Sequence, residues 1–452
     1  MVRVGSWRRV WVVAGLLTLL LSACDWTSFG FDAGNTRFNP NDTAISAGNV
    51  SGLAESWRST VLTGGGAIRG TPAVANGRLF VQAGGSSGSG RLAAYDATGA
   101  PCPTATPKVC SPLWQSSNVL PSSSGDPTVV DGKVYVVAQQ SLQVYDAAAG
   151  SATCTGTTPR ICAPLWTTYL GGYSGYYGPT VVNGRVFLTT VGSEVRVYDT
   201  STSMGCSGTT TIVCPTVRVY RAAGGSVGGT RPVVVDGVLY VGGSAGGNNG
   251  SLYAFDATGN TGCSGNPIVC SQLWSGPAGG YYQGSTPVVS GGRVYTHTYS
   301  DELKVFDAKG CGTSICAPLW STSGVTNGYA SPAVANGRLY VANSAGTLGV
   351  FDAKGCGSAS CTPLWTSKVP VVGTVHGSSP ALANGLVYLG SNADRLYAFD
   401  ANGTAGCHGA NKVCDALWTS PLTGGGVFSS PIVANGIVFV GSDGQRVHAY
   451  KL

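Results

Sequence analysis

Of 452 residues only 10% are charged, against about 25% in an average soluble protein, while 43% are hydrophobic and 69 are Gly. That apolar fraction excludes an intrinsically disordered chain despite the low charge. The formal charge of +6 falls to +3 without the leader's Arg3, Arg8 and Arg9, and no Lys or Arg run follows, which excludes a nucleic-acid surface.

The first element is a leader, residues 1–23: its three Arg precede an apolar stretch at 10–21. A spanning helix needs about 20 apolar residues, so this stretch is too short to cross and stay. It ends in Leu21-Ser22-Ala23-Cys24, which resembles the lipobox of bacterial lipoproteins. The resemblance implies cleavage before Cys24 and acylation of its thiol. The chain is then exported and anchored by lipid to the outer surface of the cytoplasmic membrane or another envelope membrane. A secretory leader with a chance Cys is the alternative. Arg8-Arg9 also resembles a twin-arginine signal, and Asp25 an inner-membrane retention signal in a cell with two membranes.

A lead-in, residues 24–50, is followed over 51–452 by a repeat. Pro before small or β-branched residues recurs at Pro72, Pro127, Pro179, Pro232, Pro287, Pro332, Pro380 and Pro431, at intervals of 45 to 55 residues. Each unit reads as a strand, a turn such as Asn336-Gly337, a second strand, a short loop and a third strand. The third strand ends at Asp96, Asp146, Asp199, Asp256, Asp307, Asp352 or Asp400, and a fourth carries Trp114, Trp166, Trp274, Trp320, Trp365 or Trp418, with 217–220 standing in for blade three. Four antiparallel strands make one propeller blade. The chain stops after the third strand of blade eight, and an orphan strand with Trp57, residues 53–59, precedes blade one. Pairing the two closes an eight-bladed, all-β propeller with an N-terminal strand and leaves no open edge between the ends.

The Ala-x-Asp-x-x-x-Gly pattern of residues 93–99, with Trp114 after it, resembles the tryptophan-docking motif of quinoprotein propellers. The lead-in "FGFDAGNTRFNPND" resembles the start of quinoprotein dehydrogenases. WD40 and kelch signatures are absent, and no motif supports a carbohydrate-processing propeller, the other reading that the blade count leaves open. In architecture the chain also resembles the propeller lipoproteins of the outer-membrane barrel-assembly machinery.

Besides Cys24, fourteen cysteines fall into seven local pairs: Cys102/Cys110, Cys154/Cys162, Cys206/Cys214, Cys263/Cys270, Cys311/Cys316, Cys356/Cys361 and Cys407/Cys414. All lie between a third strand and the next Trp strand. Seven disulfides formed outside the cytoplasm are the expectation. Zinc needs four soft ligands within reach, and Cys-x-x-Cys redox spacing is absent.

If the Pro-headed strands line the channel, as in this fold family, its mouth is ringed by Arg69, Asp126, Tyr176, Tyr177, Arg231, Tyr329, His376 and Phe428, with Tyr281 and Tyr282 slightly earlier. The disulfide loops then occupy the opposite face. Tyr, Ser, Gly and Arg suit a recognition surface for an envelope protein or small ligand. The bland reading is that they merely fill and solvate the loops.

The family resemblance implies a second hypothesis, a dehydrogenase of an alcohol or sugar dependent on pyrroloquinoline quinone (PQQ). Such enzymes hold the quinone between a Trp and a disulfide of adjacent cysteines, bind its carboxylates with Arg and calcium, and use an Asp base. Here no cysteines are adjacent, and Trp7 and Trp11 lie in the leader, Trp26 in the lead-in and seven Trp in fourth strands. Asp126, read as the one acid at the mouth, forms with Arg69 and Arg231 at most a partial quinone site. His297, His376, His408 and His448 lie on different blades, so neither a nucleophile triad nor a metal site is expected. The preferred expectation is a non-catalytic, lipid-anchored scaffold without cofactor.

Overall fold

The computed structural model describes residues 24–452 except 62–65, 85–89, 119–124, 139, 171–176, 191–192, 202–205, 209–213, 248, 281–284, 300–302, 324–328, 344–345 and 369–377. The leader, Tyr176, Tyr281, Tyr282 and His376 lie outside the described residues.

The repeat's chemistry explains its strands. Asn76 and Gly77 both adopt left-handed backbone, at φ 50° and 73°, as the two-residue hairpin turn that matches strand twist requires. After the third strand the Asp96 carboxylate accepts from the Thr98 amide and hydroxyl, fixing the next turn. Blade one is Ala73–Ala75, Arg78–Ala83, Arg91–Asp96 and Trp114–Ser116, from the axis outward. Eight such sheets form the all-β, eight-bladed propeller. In blade eight, Ile432–Ala434, Ile437–Gly441 and Val447–Lys451 are completed by Ala54–Ser59 from the front of the chain, with Trp57 opposite Ala449 and Arg58 opposite His448.

Adjacent blades are joined by the Trp motif. A Cβ on Gly99 would fall 2.5 Å from the Trp57 ring, and Gly310, Gly355 and Gly403 make the same room for Trp274, Trp320 and Trp365. Each indole therefore lies on the turn of the following blade. The Trp57 and Trp114 nitrogens donate to the carbonyls of Ala97 and Ala147 at 3.1 and 3.2 Å. At the joints of Trp320 and Trp365, the Ala353 and Ala401 carbonyls accept from Tyr295 and Tyr340 instead, and the two indole nitrogens have no partner among the described residues.

All seven disulfides are present. Their loops do not form the end face that the sequence suggested; they fold outward onto the wall of the preceding blade. Lys108–Cys110 runs parallel to Ala54–Ser59, Arg160–Cys162 to Trp114–Ser116, and Ile268–Cys270 to Arg218–Arg221. Ser360–Cys361 and Val413–Cys414 do the same for Trp320–Thr322 and Trp365–Lys368. The reason is the unpaired edge that a four-stranded blade leaves outside: Thr60, Ser117 and Ser323 amides donate to the carbonyls of Cys110, Cys162 and Cys361.

The two remaining loops reach the wall without a regular strand at the cysteine. The Thr168 hydroxyl, on Trp166–Tyr169, donates to the Cys214 carbonyl at 2.7 Å. The Cys316 amide donates to the Ser275 carbonyl, on Trp274–Pro277, at 2.8 Å. Cys214 and Cys316 are therefore not surface residues of an end-face loop; both are buried, as are Cys110, Cys154, Cys162, Cys270, Cys361 and Cys414. In every pair the second cysteine packs between hairpin and wall, where an apolar sulfur is better placed than in water. The partners Cys102, Cys206, Cys263, Cys311, Cys356 and Cys407 keep some exposure.

Blade eight has no such loop to lend to blade seven. There the outer strand is only Trp418–Thr419, and Pro421 stands where Ser117 and Ser323 donate, so the edge is short and lacks that donor.

A candidate site in a channel filled by the N-terminus

The lead-in runs through the channel. Asp25 accepts from the Asn76 amide at 2.8 Å and from Asn435 at 3.2 Å, both in inner hairpin turns. Carbonyls of Trp26, Thr27, Gly34, Thr36 and Arg37 then accept in order from the amides of Val74, Val129, Val289, Val334 and Leu382, the central residues of inner strands in blades one, two, five, six and seven. The Asn39 side chain donates to the Val433 carbonyl of blade eight at 2.9 Å. Arg37 is fully buried and donates to the carbonyls of Phe29, Pro380 and Pro431 at 2.5, 2.6 and 3.0 Å. Burial pushes its pKa down to about 9, with Asp126 opposing the fall and Arg231 adding to it.

Residues just before each Pro form a buried belt. The Thr286 amide donates to Ser331 Oγ, Ser331 to Ser379, and Ser379 to Ser430. The Thr71 amide donates to Asp126 Oδ1 at 2.6 Å. Arg231 reaches from blade four across blade three to Asp126 Oδ2 at 3.0 Å. Gly178 makes that reach possible, because a Cβ there would lie 2.1 Å from Arg231 Nη2 and 2.2 Å from the Asp126 carbonyl. Both guanidiniums lie over the Phe29 ring, at 4.5 Å for Arg37 and 5.2 Å for Arg231. Gly178→Ala is expected to break this pair and cost about 2–4 kcal/mol in denaturant unfolding.

The expected trio of Arg69, Asp126 and Arg231 is thus divided. Asp126 and Arg231 pair inside, whereas Arg69 leaves for a bidentate bond to Asp443, both contacts at 2.8 Å, with Phe428 4.9 Å beneath it. Asp126 is therefore not the only acid here: Asp443 belongs to a second-to-third loop, and such loops share the mouth's face. Tyr177 is half-buried. Tyr329 packs on Tyr299 with ring centroids 4.5 Å apart, and Tyr299 was not foreseen.

One His is less solitary than its blade position suggested. His448 Nδ1 lies 2.7 Å from Glu55 Oε1, and its Nε2 lies 3.3 Å from Ser442 Oγ. This has the outline of a nucleophile triad, but Ser442 is wholly buried and its hydroxyl also lies near the carbonyls of Thr423 and Arg446. It works as a clasp between the closing strand and the last strand.

A family model described as outer membrane protein assembly factor BamB matches residues 42–153 and 216–405. The chain belongs to this family of PQQ-like β-propellers. No curated protein matches the chain. Among solved structures, BamB from Moraxella catarrhalis is similar at TM-score 0.58 and 14% identity, over 88% of this chain and 100% of that one. Quinohemoprotein alcohol dehydrogenase from Comamonas testosteroni gives 0.64 and 14%, over 97% and 82%. A europium-containing methanol dehydrogenase gives 0.62 and 14%, over 97% and 100%. At such identity these likenesses establish the fold alone, and the fold serves both kinds of protein.

The dehydrogenase likenesses raise the fit of PQQ and calcium. A flat quinone needs an uncovered Trp face, but Trp26 and all seven outer-strand Trp are buried. The Asp126 oxygens are taken by Thr71 and Arg231, and each nitrogen of the Arg37 guanidinium already donates to a backbone carbonyl. Among the described residues no group of three or more His, Cys, Asp or Glu side chains converges for an ion. These residues do not fit the quinone with calcium, and no chemistry is derived through it.

Proposed function

We propose that this member of the family is a non-catalytic binding or assembly scaffold, held by lipid on Cys24 at an envelope membrane. One observation carries the reading: Asp126 pairs with Arg231, and Arg37 holds backbone carbonyls of the lead-in and of two blades, so these groups build a rigid plug. What remains at the rim is the Arg69–Asp443 pair on Phe428 and the Tyr299–Tyr329 stack, Arg and aromatic chemistry suited to a protein partner. The family's description as an outer-membrane assembly factor supports an envelope protein in that role. Disulfides support a compartment outside the cytoplasm.

The lead-in also supports a fixed attitude on the membrane. The Cys24 carbonyl accepts from Asn39 at 3.1 Å, and two residues later Trp26 is fully buried. A lipid on Cys24 therefore has no slack, and the face with the inner hairpin turns lies against the bilayer while the Arg69 and Tyr329 rim faces away.

The dehydrogenase alternative draws on the fold likeness to the two dehydrogenases. Titration of the purified mature protein with PQQ and calcium separates the readings. The scaffold reading expects neither a bound-quinone absorption nor dye reduction with alcohol or sugar; the appearance of both overturns it. Mass spectrometry of the N-terminal peptide is expected to find acyl chains on Cys24. Arg69→Ala with Tyr329→Ala is expected to abolish cross-linking to the envelope partner at unchanged unfolding midpoint.

A further inference from the structure

The lead-in seals inner edges in six blades and skips two. Between Thr27, bonded to blade two, and Gly34, bonded to blade five, residues 28–33 make no backbone hydrogen bond to the inner strands Thr180–Val182 and Val233–Val235 among the described residues. The central amides there, Val181 and Val234, have no partner among the described residues, although their five counterparts each donate to a lead-in carbonyl. Thr180–Val182 is half-exposed at all three residues, whereas every other inner strand is buried at two or three. A cavity of about 190 Å³ fills the gap, with Phe31, Asp32, Val181, Val234 and Arg231 in its wall.

Its wall carries two charged side chains, Arg231 and Asp32, and Arg37 stands outside it. Arg37 and Arg231 are buried at 0% and 4% exposure, and Asp126 is the acid paired within the plug. Arg231 Nε is buried without a partner among the described residues. Asp32, on the exposed part of the lead-in, spends its carboxylate on the Thr36 amide and hydroxyl. An unpaired guanidinium nitrogen beside two free amides favours an oxygen acceptor, and a carboxylate is the one a guanidinium bonds most strongly. The rest of the wall sets Phe, Ala, Val and Pro side chains beside Thr27, Ser28, Asn35, Thr128 and Thr180.

We propose that this slot binds a small monocarboxylate with a short apolar body, the carboxylate set toward Arg231 and the amides of Val181 and Val234, the body against Phe31 and the valines. The sister edges give the chemical precedent, since the same amides elsewhere already hold carbonyl oxygens. The slot shares Arg231 with the plug but none of the rim residues Arg69, Asp443, Tyr299 and Tyr329, so loss of carboxylate binding and loss of partner binding are distinguishable.

The test is calorimetric titration of the whole mature protein with 3-methylbutanoate and with its neutral isostere 3-methylbutanamide, at matched ionic strength. Saturable binding of the carboxylate is expected, with the amide about tenfold weaker or worse. Val182→Phe, on the half-exposed strand, narrows the slot and is expected to remove the saturable heat. Should that variant fail to fold, Ala33→Trp blocks the same space from the solvent side. Equal affinity for the amide, a non-saturating carboxylate, or undiminished binding in a folded filled variant overturns the proposal.

Discussion

Reduction of all seven disulfides in the native protein is expected to lower the guanidinium midpoint more than any single substitution, and to make the chain self-associate. Each bridge closes a loop of 5 to 8 residues. Loop-closure entropy then gives about 2 kcal/mol per bridge, so the set of seven comes to about 14 kcal/mol, near the top of the roughly 5–15 kcal/mol that holds an ordinary domain together. Association follows from the outer wall. A loosened hairpin uncovers the strand beside it, as Lys108–Cys110 now covers Ala54–Ser59, and an uncovered edge pairs with other chains. Light scattering alongside the unfolding curve checks both parts. A reduced protein that stays monomeric with an unchanged midpoint would mean that the hairpins neither restrain nor cover anything.

Arg37→Met is expected to cost about 3 kcal/mol. Two effects oppose each other. Burying a guanidinium is costly, and removing it recovers that cost. Its loss, however, leaves the carbonyls of Phe29, Pro380 and Pro431 without their charged donor, each hydrogen bond of this kind contributing about 1.5–3 kcal/mol. Three bonds outweigh one desolvation, and Met retains most of the stem's packing. Denaturant unfolding of the variant measures the balance. A variant more stable than the parent would show that the cost of the buried charge outweighs its three hydrogen bonds.

What could be read from the sequence was what is local. Asn76-Gly77 and the Asp96 turn each answer a requirement within a few residues, and repetition made them visible; the Gly99 motif was visible too, but its indole is Trp57 of the preceding blade and not Trp114. The closing strand was legible because one Trp strand stood before blade one and one was wanting after blade eight. The channel was not. Arg37 finds Pro380 and Pro431 at separations of 343 and 394 residues, and Arg69 finds Asp443 at 374. Nothing in the periodicity connects such distances. The lead-in's backbone carbonyls, which do most of the sealing, leave no side-chain signature. The hairpins misled for a related reason: their Cys spacing identifies the loop but not the neighbouring blade against which Cys214 or Cys316 is buried. Gly178 is the one signal that was available, since it stands at a belt position where other blades carry Thr, Ser, Asp or Arg.

Amide-resolved hydrogen exchange of the mature protein tests the filled channel most directly. The account expects slow exchange at Val74, Val129, Val289, Val334 and Leu382, which donate to the lead-in, and fast exchange at Val181 and Val234, which occupy the same place in their strands and do not. Equal exchange at all seven would contradict it, because the N-terminal segment would then not be threaded along the axis.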